Sequence, residues 1–114
     1  MRTPLVHKQR LWLPEPALPI RLATAAWWRW LQQATLFRYL PPQSIYAFTV
    51  RKEKRRHDWY WYAYLKSDAK LHNAYVGRSQ DLTLERLHLV CEQLTQKVRQ
   101  AQRAARTKGG DAPH

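Results

Sequence analysis

The spacing of apolar residues changes period twice along the chain. Trp27, Trp30, Leu31 and Ala34 fall at i, i+3, i+4 and i+7, one face of a helix. Thr24 supplies an N-cap for a short helix from Ala25 to about Ala34, and Trp28 projects from another side. After Pro41 and Pro42 the period becomes two. Ile45–Glu53 reads as a strand with Tyr46, Phe48 and Val50 on one side. Trp59–Lys66 is the strongest strand pattern: Trp59, Trp61, Ala63 and Leu65 face one way, and Tyr60, Tyr62 and Tyr64 the other. Ser67, Asp68 and Ala69 make a turn, Lys70–Val76 returns as a third strand, and Gly77 ends it. The helical period then resumes. Asp81 or Thr83 caps a long helix with a stripe of Leu84, Leu87, Val90 or Cys91, Leu94, Val98, Ala101 and Ala105, and Gly109 and Gly110 stop it.

This pattern predicts an α+β domain. A three-stranded antiparallel sheet packs on a long C-terminal helix, and a short Trp-rich N-terminal helix flanks it. Pro4, Pro14, Pro16 and Pro19 punctuate the first twenty residues, so 1–23 reads as an extended Pro-rich arm, with Leu11, Trp12 and Leu13 available to pin it to the core. Residues 24–106 form the single domain, and 107–114 a disordered tail.

Charge sharpens the picture. Across 114 residues, Lys and Arg total 20 against 8 Asp and Glu, a formal charge of +12 with a pI of about 10.5. Such an imbalance attracts polyanions through long-range field and counterion release. Cys91 is the only cysteine, so no internal disulfide forms, and a reducing compartment is expected. The first ten residues hold no apolar signal core, and no run of about 18 apolar residues spans a bilayer. The expected location is the cytoplasm.

Arg51, Lys52, Lys54, Arg55, Arg56 and His57 crowd between two strands, opposed by Glu53 alone. On an exposed hairpin end they suit phosphate contacts, with Lys66, Lys70 and Arg78 assisting. A solvated turn with surplus charge is the other reading. Tyr60, Tyr62 and Tyr64 form a row that either stacks unpaired bases or packs against the first helix or the arm. Packing is the weightier reading, because six tryptophans and six tyrosines in so short a chain must mostly be core. Tyr75 carries the same ambiguity. His88 and Cys91 stand at i and i+3, but two ligands without a CxxC or HExxH motif make no metal site. His7, His72 and His114 are scattered. No glycine-rich phosphate loop, G-x-S-x-G elbow or carboxylate pair is present, so neither catalysis nor a cofactor is expected.

The stretch Phe48-Thr49-Val50-Arg51-Lys52-Glu53, through Trp59-Tyr60-Trp61-Tyr62-Ala63-Tyr64 and Lys70-Leu71 to Tyr75-Val76-Gly77-Arg78-Ser79 and Asp81–Leu87, resembles a known module. It is similar to the small N-terminal module of ATP-dependent LuxR-family (maltose-regulator-like) bacterial transcription regulators, and to related short standalone proteins. The likeness covers residues 45–94, with looser agreement around Trp27–Leu31. The regulators' ATPase and helix-turn-helix domains have no counterpart here. A weaker similarity, in strand–strand–strand–helix order, is to the arm-type, AP2-like DNA-binding domains of tyrosine recombinases, although the turn Ser67-Asp68-Ala69-Lys70 lacks their glycine. Those likenesses imply binding without strand cleavage.

The expectation is therefore a basic accessory or regulatory module whose partner is nucleic acid, duplex DNA first. A protein-interaction module within a larger complex and an RNA-associated basic protein are the alternatives. No membrane, metal or cofactor is expected.

Overall fold

A computed structural model describes residues 3–15, 17–42 and 46–110, with side chains as far as Arg106. The elements run β1 (Leu5–His7), β2 (Arg10–Trp12), β3 (Ile20–Arg21), α1 (Ala25–Gln33), β4 (Leu36–Tyr39), β5 (Phe48–Arg55), β6 (Asp58–Ser67), β7 (Lys70–Gly77) and α2 (Leu84–Gly110). All seven strands join one sheet in the order β3-β2-β1-β4-β5-β6-β7. Neighbours pair antiparallel except β1 and β4, which run parallel with Leu5 opposite Arg38 and Val6 opposite Tyr39.

The sheet corrects the expected fold. It is seven-stranded and mixed, not three-stranded and antiparallel, and α1 follows three strands instead of opening the fold. The meander β5–β6–β7 forms where alternation places it, although Ile45 lies outside the described residues. The segment read as an arm supplies β1, β2 and β3. Its prolines bracket these strands: Pro4 precedes β1, Pro14 follows β2 and Pro19 precedes β3, so no ladder N–H is lost. The β1–β2 turn carries positive φ at Lys8 and Gln9 (52° and 66°), as a two-residue type I′ turn requires. Asp68 and Ala69 (51° and 64°) make the same turn between β6 and β7. Neither turn uses the Asn-Gly or Asp-Gly pair that announces such hairpins.

Both helices cover one face of the sheet. Alternate strand residues point to it, and Val6, Leu11, Phe37, Val50, Trp61 and Val76 are fully buried there. Thr24 caps α1 by accepting from the Trp27 N–H at 3.3 Å. The buried Trp27 ring meets Phe37 edge-on at 5.7 Å and donates its indole N–H to the Leu82 carbonyl at 3.0 Å. Trp61 packs on Phe37 at 5.5 Å and donates to the Ser79 hydroxyl at 2.9 Å.

Helix α2 takes Thr83, not Asp81, as its cap: the Thr83 hydroxyl accepts from the Arg86 N–H at 3.1 Å. Asp81 instead lies in the short 3-10 turn Ser79–Asp81, where its carboxylate accepts from the Arg78 N–H at 2.9 Å. Gly77 makes that turn possible. Its φ is +139°, and a Cβ there would sit 2.7 Å from an Asp81 carboxylate oxygen. From its cap α2 runs back along β7, burying Leu87, Val90, Leu94 and Val98. Arg86 donates to the Val76 carbonyl, Lys97 to the Asn73 carbonyl, and Gln102 to the Asp68 carboxylate. The helical backbone continues through Gly110, so the tail expected from residue 107 begins as helix. Among the described residues, no helix is long and apolar enough to cross a membrane.

Candidate nucleic-acid interface

The face that neither helix covers collects the opposite set of alternate residues. Register places them in rows across the strands. One row reads Leu36, Arg51, Tyr62 and Tyr75; the next reads Arg38, Thr49, Tyr64 and Asn73 and extends through Leu5 to Trp12. Arg10 and Arg21 pair beside the far end, and Lys66 sits across from Leu71 at the near one. The tyrosine row does not pack against α1 or the N-terminal strands, as the weightier sequence reading had it. It is half-buried on an open sheet surface, and Tyr75 is 50 % exposed.

Each tyrosine of the row carries an arginine over its ring. Arg78 lies 5.3 Å from the Tyr60 centroid, Arg55 4.9 Å from Tyr62, and Arg51 5.8 Å from Tyr64. The contacts of Arg51 and Arg55 arise because β5 and β6 pair in register, so a two-residue period in each strand puts guanidinium beside ring; Arg78 reaches Tyr60 from the residue that follows β7. The two acids on this surface are engaged. Glu53 accepts from the Tyr64 hydroxyl and pairs with Arg55 at 2.6 Å, and Asp58 pairs with Arg78 at 2.9 Å. The hydrogen bond from Tyr64, then that from Arg55, holds the Glu53 carboxyl below the ordinary carboxylate value, while burial and the same bond push the Tyr64 hydroxyl up. Glu53 remains an anion at neutral pH, and the arginines outnumber their partners.

The basic run divides. It is strand as far as Arg55, with a two-residue turn at Arg56 and His57. Arg51 and Arg55 therefore face the open surface, while Lys52 and Lys54 point to the other side. Lys52 reaches the end of α1, where its ammonium donates to the Leu31 carbonyl at 2.7 Å and the Gln32 carbonyl at 3.3 Å, 5.2 Å above the Trp61 ring. It neutralises the C-terminal dipole of α1, and partial burial pushes its ammonium below the usual lysine value.

Strands β5 and β6 outrun their neighbours. The β4 ladder stops at Arg51 and the β7 ladder at Trp61, leaving residues 53–60 as a two-stranded tip with Lys54, Arg56 and the half-exposed Trp59. Of the remaining expected contacts, Lys66 and Arg78 belong to the open face. Lys70 pairs with Ser67 on the side where α2 passes, near Gln102 and Ala105.

Three arginines of this surface lay outside the sequence reading. Arg10, Arg21 and Arg38 stand on β2, β3 and β4, and nothing short of the strand register brings them to the same face. His88 and Cys91 lie on the same helix with no third ligand beside them among the described residues. His88 pairs with Glu92 at 3.2 Å, and burial pushes the Cys91 thiol up. Among the described residues no cluster of three histidine, cysteine or acidic side chains can hold a metal. No family model, no curated protein and no solved structure matches this chain.

Proposed function

We propose that this protein is a nucleic-acid-binding module whose open sheet face is the docking surface. One observation carries the reading. On the single face left uncovered, arginines from β2, β3, β4 and β5 gather with Lys66, Arg78 and the tyrosines, against two acids that are already paired. A core explains none of them, since exposed arginines contribute little to stability. Phosphates explain them well: a guanidinium fork matches phosphate oxygens, and each neutralised phosphate releases counterions. The tyrosines beneath Arg51, Arg55 and Arg78 restrict those side chains before a ligand arrives, which lowers the ordering cost on binding. The order β5, β6, β7, α2 is also the strand–strand–strand–helix order in which the chain resembles arm-type DNA-binding domains. The module is read as binding without a reaction of its own.

The test is an anisotropy titration against labelled duplex DNA and single strands at two salt concentrations. Phosphate contacts by Arg38, Arg51, Arg55, Lys66 and Arg78 give a log–log salt slope of about −4 to −5 on duplex and about −3.5 on a single strand. The double variant Arg51→Ala, Arg55→Ala flattens the slope by about two units. No binding at low salt, or a double variant with unchanged affinity and slope, overturns the reading and leaves the face to an acidic protein partner.

A further inference from the structure

We infer that the open face takes a single strand in preference to a duplex, with unpaired bases stacking on Tyr75 and on the tyrosine–arginine pairs beside it. This rests on the nucleic-acid reading above and adds the form of nucleic acid that the face selects.

The arginines alone do not discriminate, because phosphates line duplex and single strand alike. The rings do. Tyr75 is 50 % exposed at the rim of a cationic surface, on the edge strand β7. Its ring lies 6.1 Å from Tyr60 and 5.5 Å from Tyr62, inclined at 53° and 64°. At those angles neither neighbour lies flat against it. Among the described residues no guanidinium stacks on it either, in contrast to Tyr60, Tyr62 and Tyr64. Tyr75 thus offers an aromatic plane with no flat partner. Arg55 over Tyr62 and Arg78 over Tyr60 add planar cations nearby, and a guanidinium plane accepts a base much as a ring does.

A duplex cannot use these planes, since its base faces are closed by its own stacking. Nor can the face that carries Tyr75 follow its bases into a groove. Seven strands at about 4.8 Å spacing span about 30 Å, against a major groove about 12 Å wide, and only the two-stranded tip at 53–60, which does not include Tyr75, is narrow enough to enter. A single strand suffers neither restriction. It lies flat, turns its bases to the rings and its phosphates to Arg51 and Lys66, in the manner of positively charged aromatic grooves that bind unpaired strands. Leu71, 64 % exposed on the same face of β7, extends the apolar track beyond Tyr75.

The experiment compares three labelled probes at one low salt concentration: oligothymidine DNA and oligouridine RNA of about 12 nucleotides, and a blunt duplex DNA of the same length. The two single-strand arms distinguish DNA from RNA as the source of the unpaired bases. The expected result is single-strand binding at least about tenfold tighter than duplex binding. Tyr75→Ala then weakens single-strand binding about five- to hundredfold with an unchanged salt slope, and Tyr75→Phe retains it. Tyr75→Leu keeps apolar bulk without a ring face and loses binding as alanine does. Thermal melts of each variant separate loss of binding from loss of fold. Duplex binding as tight as single-strand binding, or a folded Tyr75→Ala that binds like wild type, overturns the inference while leaving the nucleic-acid reading standing. That broader reading fails on a different result, the absence of binding to every probe.

Discussion

Strand β6 presents two chemistries on alternate residues. On one side Trp61, Ala63 and Leu65 vanish beneath the helices; on the other Tyr60, Tyr62 and Tyr64 remain half-open under arginines. The open side carries three aromatic rings against one among the three buried residues, so aromatic content does not separate core from surface. Cross-strand neighbours do. Trp61 stands opposite Lys52, whose charge is delivered to the end of α1, and Ala63 stands opposite Val50. Tyr60, Tyr62 and Tyr64 stand opposite Glu53, Arg51 and Thr49. Strand β5 divides in the same way, and two adjacent cations, Arg51 and Lys52, belong to different structures.

The contrast is broken most severely at its buried side. Trp61→Ala empties the centre of the covered face and is expected to cost about 3–5 kcal/mol in chemical denaturation. Tyr62→Ala, its neighbour on the other side, should leave the fold intact and weaken nucleic-acid binding. Equal destabilisation by the two would show that the open face is core after all. Gly77→Ala comes next. The positive φ and the Asp81 carboxylate both oppose a Cβ, and the loss should exceed about 1 kcal/mol, read from the same denaturation curves.

Adjacent positions in β5 give a finer test. Lys52→Ala should lower stability by about 1 kcal/mol by releasing the α1 carbonyls, with the salt dependence of binding unchanged. Arg51→Ala should do the reverse, shifting stability by less than about 0.5 kcal/mol and reducing the salt slope by about one unit. The smallest effect is expected from Glu53→Gln. Because the Tyr64 bond lowers the folded-state pKa of Glu53, its contribution is complete above the ordinary value of 4.5 and is lost as pH falls through the lowered one. The stability difference between wild type and Glu53→Gln should therefore be present at neutral pH and vanish in acid, by pH-resolved melts. A difference that grows in acid would contradict the assignment.

The C-terminal half was legible because period and register agree there. Alternation in β6 is strict and the stripe of α2 is long, so those elements stand where the sequence places them, as does α1 behind its Thr24 cap in the N-terminal half. The N-terminal strands were not legible for two physical reasons. Strands of two or three residues carry too little alternation to register, and the Lys8-Gln9 turn holds positive φ without glycine or asparagine. The basic run misled in a similar way. Low strand propensity makes Lys54 and Arg55 read as loop beyond the strand expected to end at Glu53, but pairing with Trp59 and Asp58 outweighs propensity. The alternation of Arg51 with Lys52 follows from the same β5–β6 pairing. The gathering of Arg10, Arg21 and Arg38 follows from β1 pairing with β4, a contact between residues more than thirty positions apart that no local pattern encodes.

That parallel pairing also constrains how the molecule assembles. On a ribosome the β1–β2 hairpin emerges first, yet a hairpin of such short strands is marginal by itself. Its docking partner β4 appears only after β3 and α1 have been made, and β4 is in turn held by β5. The order of synthesis therefore runs against the order of stability. The meander β5–β7 with α2 is made of sequence-adjacent contacts that close cheaply, whereas β1 must wait for a distant partner and pay the entropy of a long loop. Nascent chains would carry the β1–β2 hairpin without its neighbour until Leu36–Tyr39 has emerged, and in the finished molecule the far edge of the sheet would be the first to open and the last to close.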